Sequence, residues 1–227
     1  MTFADTINHD YKPTRAGALA ALLGLLVLTL GVGGCDFLGM AAQNTIGIPV
    51  KAQYSGLKKQ SVAIVVYEDG STEFNYPQAS QEVSAFVTAS LEKHIPTAHI
   101  LDYHLVLNYQ NANPNWGVLP IKSIGKHFSV NRVVYIELLD YTVHSQHTTF
   151  VLQGHIAAHV AVYNVKLPGN GEVFHTNISV RWPKSGPLPG YDTDANTVRM
   201  NTLQRFSTKL AHEFYNWHDR GEASFAN

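Results

Sequence analysis

A single cysteine in 227 residues, Cys35, is the sharpest shortage in this chain. The absence of a second one removes disulfides, thiolate zinc centres, iron–sulfur clusters and thiol catalysis together. Charge is scarce and balanced, with 16 Lys+Arg against 17 Asp+Glu and a net charge of −1. A phosphate-binding surface needs a basic excess, so nucleic acid is not an expected partner. No Gly-x-Ser-x-Gly elbow, Walker loop or dinucleotide fingerprint occurs, and Glu68-Asp69 after the first candidate strand would repel a phosphate. His212-Glu213-Phe214-Tyr215-Asn216 comes nearest to a zincin motif and fails, because Asn216 stands where the second histidine must be. No internal repeat is visible. The longest apolar run, Ala16 to Leu30, falls short of the roughly 20 residues that span a bilayer comfortably.

That run has a specific context. Lys12 and Arg15 precede it as a basic n-region, and Gly31-Val32-Gly33-Gly34-Cys35 follows it as a small-residue cleavage segment ending on the only thiol. Val32-Gly33-Gly34-Cys35 resembles the lipobox of bacterial lipoproteins. The resemblance implies that Cys35 is diacylated on sulfur, becomes the first mature residue and is acylated again on its amine. Two or three chains, at about 0.8 kcal/mol per buried CH₂, anchor stably where one would be marginal. The alternative is an uncleaved signal anchor over Ala16 to Gly34. Asp36, next to the cysteine, carries an inner-membrane sorting signal in enterobacteria, a rule that is not general, so the choice of inner or outer membrane stays open. The expected organisation is a signal peptide over 1–34, a lipid-anchored tether over 35–60, one α/β domain over 61–220 and a tail over 221–227.

Within the domain, Ser61 to Tyr67 is a continuous β-branched and apolar run, as in a strand buried on both faces of a parallel sheet. Val83, Phe86, Val87 and Leu91 recur at helical spacing between Pro77 and Pro96. Thr97 to Leu105 reads as a short strand, and Asn108 to Gly117, with four Asn, as a loop. Pro120 opens a helix with Ile121, Ile124 and Phe128 on one side. Asn131 to Tyr141, Thr148 to Val165 and Gly171 to Trp182 read as strands, the last two joined by the hairpin loop Leu167-Pro168-Gly169-Asn170-Gly171. From Ala195 to about Trp217 the apolar residues fall on one helical stripe. The order β-α-β-α-β-β-β-α predicts an α/β (α+β) fold: one mixed sheet of about five strands covered by about three helices.

Val62-Ala63-Ile64-Val65-Val66, the helix before Pro96, and the run from Ile124 through Val133-Val134-Tyr135-Ile136-Glu137-Leu138 resemble the α/β domain of envelope lipoproteins. That group includes the curli-secretion and penicillin-binding-protein-activator lipoproteins. The resemblance covers roughly residues 60 to 217 and implies a fold more than a function.

Twelve histidines raise the question of a metal. His155, His159 and His175 share a face with Gln153, Asn177, Ser179 and Arg181 if the hairpin pairs about its loop. His155 and His159 are then about 13 Å apart along one strand, too far for one ion, which leaves a cross-strand pair such as His159 with His175. The reading taken is a polar sheet face, with no metal and no cofactor. His144 and His147 fall in a turn. Asp192 and Asp194 sit where they would cap the last helix. Trp116, in the Asn-rich segment, and Trp182, before a Pro-rich one, are the candidate partner-binding residues, the alternative being plugs over the core.

These features predict a non-enzymatic, lipid-anchored envelope protein facing the periplasm, which binds an envelope protein as an assembly factor or regulator. Two alternatives differ in class: an oligomeric secretion-pore component, hence a homo-oligomer, and a histidine-dependent metal-binding protein. Replacing Cys35 with Ala is expected to release the domain from the membrane fraction, whereas full retention would favour the uncleaved anchor.

Overall fold

The computed structural model describes residues 47–145, 148, 150–219 and 221; Cys35, Asp36, the apolar run and His147 lie outside them. Along the chain the elements are β1 (Ile48–Val50), β2 (Ser61–Tyr67), α1 (Gly70–Asn75), α2 (Ala79–His94), β3 (His99–Ile100), α3 (Tyr103–Ala112), a 3₁₀ turn (Trp116–Val118), α4 (Ile121–His127), β4 (Arg132–His144), β5 (Val151–Asn164), β6 (Glu172–Trp182), β7 (Leu188–Pro189), α5 (Ala195–His212) and β8 (Trp217–Asp219). The fold is mixed α/β. Strands β1 and β8 make a two-stranded sheet, and the other six make a second. A compact unit runs from Lys51 to Trp217. Among the described residues no helix is long and apolar enough to cross a membrane.

The main sheet has the order β3-β2-β4-β5-β6, with β7 beside the start of β5. Strand β2 pairs in parallel with β3 and with β4, whereas β4–β5 and β5–β6 are antiparallel. Val62 to Val66 is buried on both faces, as its unbroken apolar run requires. One face packs Val62, Ile64, Val66, Val134, Ile136, Ile156 and Val160 against Val83, Val87 and Leu91 of α2 and Leu203, Phe206 and Leu210 of α5. The other packs Ala63, Val65 and Val133 against Val106 of α3 and Ile124 of α4. Leu57, in the stretch read as a tether, is fully buried in the larger cluster.

Two local expectations need correction. The strand expected over Thr97 to Leu105 is only His99–Ile100, and the loop expected over Asn108 to Gly117 begins inside α3. Asp102 is the cause of both. Its Oδ1 accepts the His104 amide at 3.0 Å and starts a helix there. Gln110, read as loop, is buried and donates Nε2–H to the Val66 carbonyl at 2.9 Å, which ties α3 to β2. The last helix stops at His212 and not near Trp217, although Phe214 beyond it is still buried.

Strand β4 outruns its parallel neighbour. The β2 pairing ends at Tyr67↔Glu137, but β4 continues to His144 with β5 alone on its other side. A bulge lies in that overhang: Leu138 pairs with Ala158 and Asp140 with Ala157, which leaves Leu139 unpaired and exposed. The extra residue reverses the alternation. Before it Val134, Ile136 and Leu138 face α2 and α5; after it Tyr141 does so, and Asp140 turns to the opposite side.

Helix α5 passes close to the sheet at Gly154, where a Cβ would collide with Thr202 Oγ1 and stand 2.9 Å from Thr202 Cβ. Gly154→Ala is expected to cost about 1–3 kcal/mol by overpacking. Chemical denaturation of G154A should show this loss, and adding Thr202→Ala should recover part of it.

Candidate functional site

The four most exposed large apolar side chains among the described residues are Phe74 (85%), Val118 (85%), Phe150 (83%) and Tyr191 (88%). All four lie in segments at the end of the sheet where β2 and β4 finish. Phe74 is in α1, which starts three residues after β2. Val118 is in the 3₁₀ turn that Trp116 fixes by stacking edge-on to Tyr67, with ring centroids 5.8 Å apart. Phe150 immediately precedes β5, and the Gly190 amide donates to the Phe150 carbonyl at 2.9 Å, placing Tyr191 beside it. These separate exposed groups at one end of the sheet are its apolar rim.

The chain enters at the other end. The Tyr54 amide donates to the Glu213 carbonyl at 2.9 Å, and the Tyr54 hydroxyl accepts from Arg132 Nε at 3.3 Å at the start of β4. Tyr54 also stacks on Phe174 near the start of β6. Since β2, β4 and β6 run in one direction, entry and rim are at opposite ends of the sheet.

Helices α3 and α4 cover the second face over β2, the start of β4 and the end of β5. Beyond Glu137 that face is an open polar surface built from Asp140 and Thr142 of β4, His155, Ala157 and His159 of β5, and His175, Asn177, Ser179 and Arg181 of β6. The three histidines do share it, as expected. His159 Nδ1 lies 3.1 Å from Asn177 Oδ1, His175 Nδ1 lies 2.8 Å from Glu172 Oε1, and the His159 and His175 rings are 5.9 Å apart. Among the described residues no group of three or more His, Asp, Glu or Cys side chains converges to hold an ion.

His155 has a different set of partners. Its Nδ1 lies 2.6 Å from Asp140 Oδ2 and its Nε2 3.0 Å from Ser179 Oγ. Ala157 stands directly between Asp140 and Ser179 in the pairing, and its small side chain leaves room for the imidazole to span the row. Asp140 and its link to Ser179 were not among the sequence-based candidates. Strict alternation along β4 places Asp140 inside the core; only the bulge brings it round.

Trp116 is half-buried over the smaller core cluster, and Trp182 is half-buried at the end of β6, paired with Gly154. The exposed apolar groups are their neighbours, which small size or loop context made inconspicuous. On the core side of the overhang, Tyr141 donates to Glu82 Oε2 at 2.9 Å and Arg199 pairs with Glu82 at 2.7 Å. Burial, then the nearby Glu82 charge, pushes the Tyr141 phenol up, so it stays a neutral donor. A cleft of about 220 Å³ lies beside this trio, with its charges already paired.

No family model and no curated protein matches the chain. Among solved structures it is similar to a lipoprotein from Neisseria meningitidis, at TM-score 0.42 and 12% identity over 64% of this chain and 96% of that one. It is also similar to the PelC dodecamer from Paraburkholderia phytofirmans, at TM-score 0.43 and 10% identity over 71% and 96%. A protein from Xanthomonas campestris aligns at TM-score 0.47 and 10% identity over 74% and 87%.

Tyr191 is positioned by the cap that follows it. Asp194 accepts the Thr197 hydroxyl at 2.7 Å and the Thr197 amide at 2.8 Å, and these bonds hold its carboxyl below the ordinary range. A folded-state pKa below the unfolded one gives a contribution that is full above the unfolded value, about 3.9, and is lost as pH falls through the folded value. Asp194→Ala should therefore melt below wild type at neutral pH, and thermal melts should show that gap closing in acid.

Proposed function

We propose that this chain is a lipid-anchored bacterial envelope protein, facing the periplasm, that docks another envelope protein through its apolar rim. The observation carrying this reading is the placement of Phe74, Val118, Phe150 and Tyr191 together at the sheet end opposite to chain entry. Four large apolar groups more than four-fifths exposed at one end of the sheet are a cost in water, which a partner covering that end would relieve. Aromatics such as Phe150 and Tyr191 supply most of the energy in such contacts. The lipobox-like segment ending at Cys35 supports the anchoring half of the reading.

A photo-activated cross-linker placed at Val118 or Phe150 in cells, followed by mass spectrometry, tests it. One envelope protein should be captured at both positions, and not from Leu167, which lies in the β5–β6 hairpin at the entry end. The double variant F150D/Y191D should cut that capture at least tenfold, with thermal stability unchanged because both side chains are exposed. Equal capture from Leu167 would sink the proposal. Capture of the chain itself alone would favour the oligomeric-pore reading.

A further inference from the structure

We propose that Asp140, His155 and Ser179 form an ester-hydrolysing site on the open face of the sheet, with Ser179 as nucleophile and His155 as general base. The site is independent of the docking rim and goes beyond it.

The distances have the polarity that nucleophilic catalysis needs. Nδ1 of His155 lies 2.6 Å from the Asp140 carboxylate and Nε2 lies 3.0 Å from Ser179 Oγ, so the tautomer that donates Nδ1–H to Asp140 presents the Nε2 lone pair to the serine hydroxyl. The His155 side chain is only 18% exposed, so the imidazole is sheltered, while Asp140 at 45% and Ser179 are open to solvent. Both ring nitrogens are bonded, so the imidazole cannot rotate without losing two partners. Three adjacent strands supply the three groups, a rigid support for such a constellation.

Donors for a developing oxyanion flank the nucleophile. Asn177 and Arg181 are two residues to either side of Ser179 on β6, on the same face. Asn177 Oδ1 is engaged by His159 Nδ1 at 3.1 Å, which leaves its amide Nδ2 as a donor. The Arg181 guanidinium makes no hydrogen bond or ion pair among the described residues, although it stands opposite His155. An unpaired guanidinium beside the nucleophile recognises a carboxylate or phosphate. The face is open and not a cavity, which suits a bulky or extended molecule. The substrate class is therefore a carboxylic ester that carries an anionic group.

The Ser179 Oγ–H attacks the ester carbonyl carbon and its proton passes to His155 Nε2. The carbonyl oxygen becomes an oxyanion toward Asn177 Nδ2 and Arg181. The bond to the alcohol oxygen then breaks, and the departing alcohol takes the proton from His155. A water molecule, deprotonated by His155, repeats the attack on the acyl-serine, releases the carboxylic acid and restores Ser179.

Full-length protein in detergent, treated with a fluorophosphonate probe, should carry the adduct on Ser179, located by peptide mass spectrometry. With p-nitrophenyl acetate and the anionic p-nitrophenyl hemisuccinate, Ser179→Ala should lose at least a hundredfold in rate. Asp140→Asn should lower kcat and move the pH profile of kcat/KM, which a merely structural carboxylate would not do. Arg181→Ala should lose at least tenfold more on the hemisuccinate than on the acetate, and the remote Leu167→Ala should keep the wild-type rate. Wild-type protein that acquires no adduct on Ser179, or S179A that hydrolyses as fast as wild type while retaining its melting temperature, would overturn the proposal.

Discussion

The structure depends on the mismatch in length between β2 and β4. Parallel pairing from Val62↔Arg132 to Tyr67↔Glu137 builds the buried centre of the sheet, and seven further residues of β4 project past it. A parallel neighbour on that side would demand another crossover helix, and none is supplied. The overhang is therefore covered on one face only, by α2 and α5. Its other face is left to polar side chains, and its far end is left to the turns that carry the rim.

Holding such an overhang in place takes specific contacts. Tyr141 is buried against Tyr76, with ring centroids 5.2 Å apart, and its hydroxyl reaches Glu82 of α2, which in turn pairs with Arg199 of α5. One trio thus links the projecting strand to both helices of the larger cluster. Removing the cation would leave a largely buried carboxylate with one neutral donor, a costlier state than losing an exposed pair. The bulge at Leu139 is part of the same arrangement, since without it Tyr141 would point to the open face and Asp140 into the apolar layer.

Much of this was legible in residues. Val62 to Val66 announced a two-sided strand, Val83, Val87 and Leu91 a helix, and the Pro-Gly-Asn loop a hairpin, because each is a local pattern with one reading. The shared face of His155, His159 and His175 followed from period-2 alternation. What failed was non-local or compensated. Asp102 converts an apolar segment into helix α3 with one side-chain bond, and the Asn-rich composition after it hides Gln110, whose role exists only because Val66 is near. The Asp140 orientation was illegible because a bulge is invisible to alternation. No sequential motif exists when one residue comes from each of three strands, so a search for elbows and loops passes over it.

Stability does not require the Asp140–His155–Ser179 row. An open strand face is satisfied by any polar residues, and a pair whose carboxylate is as open to water as Asp140 contributes about 0–1 kcal/mol. Thr, Gln or Lys at these positions would keep the sheet soluble without fixing any ring. Here a bulge that shifts the β4–β5 register by one residue and an alanine in the middle of the row combine to hold an imidazole with a ring nitrogen on a hydroxyl. Arg181, two residues from Ser179 on the same face, makes no hydrogen bond or ion pair among the described residues. A cation with no polar partner among the described residues, on the face that carries this oriented imidazole and hydroxyl, is free to meet an anionic group from outside the chain.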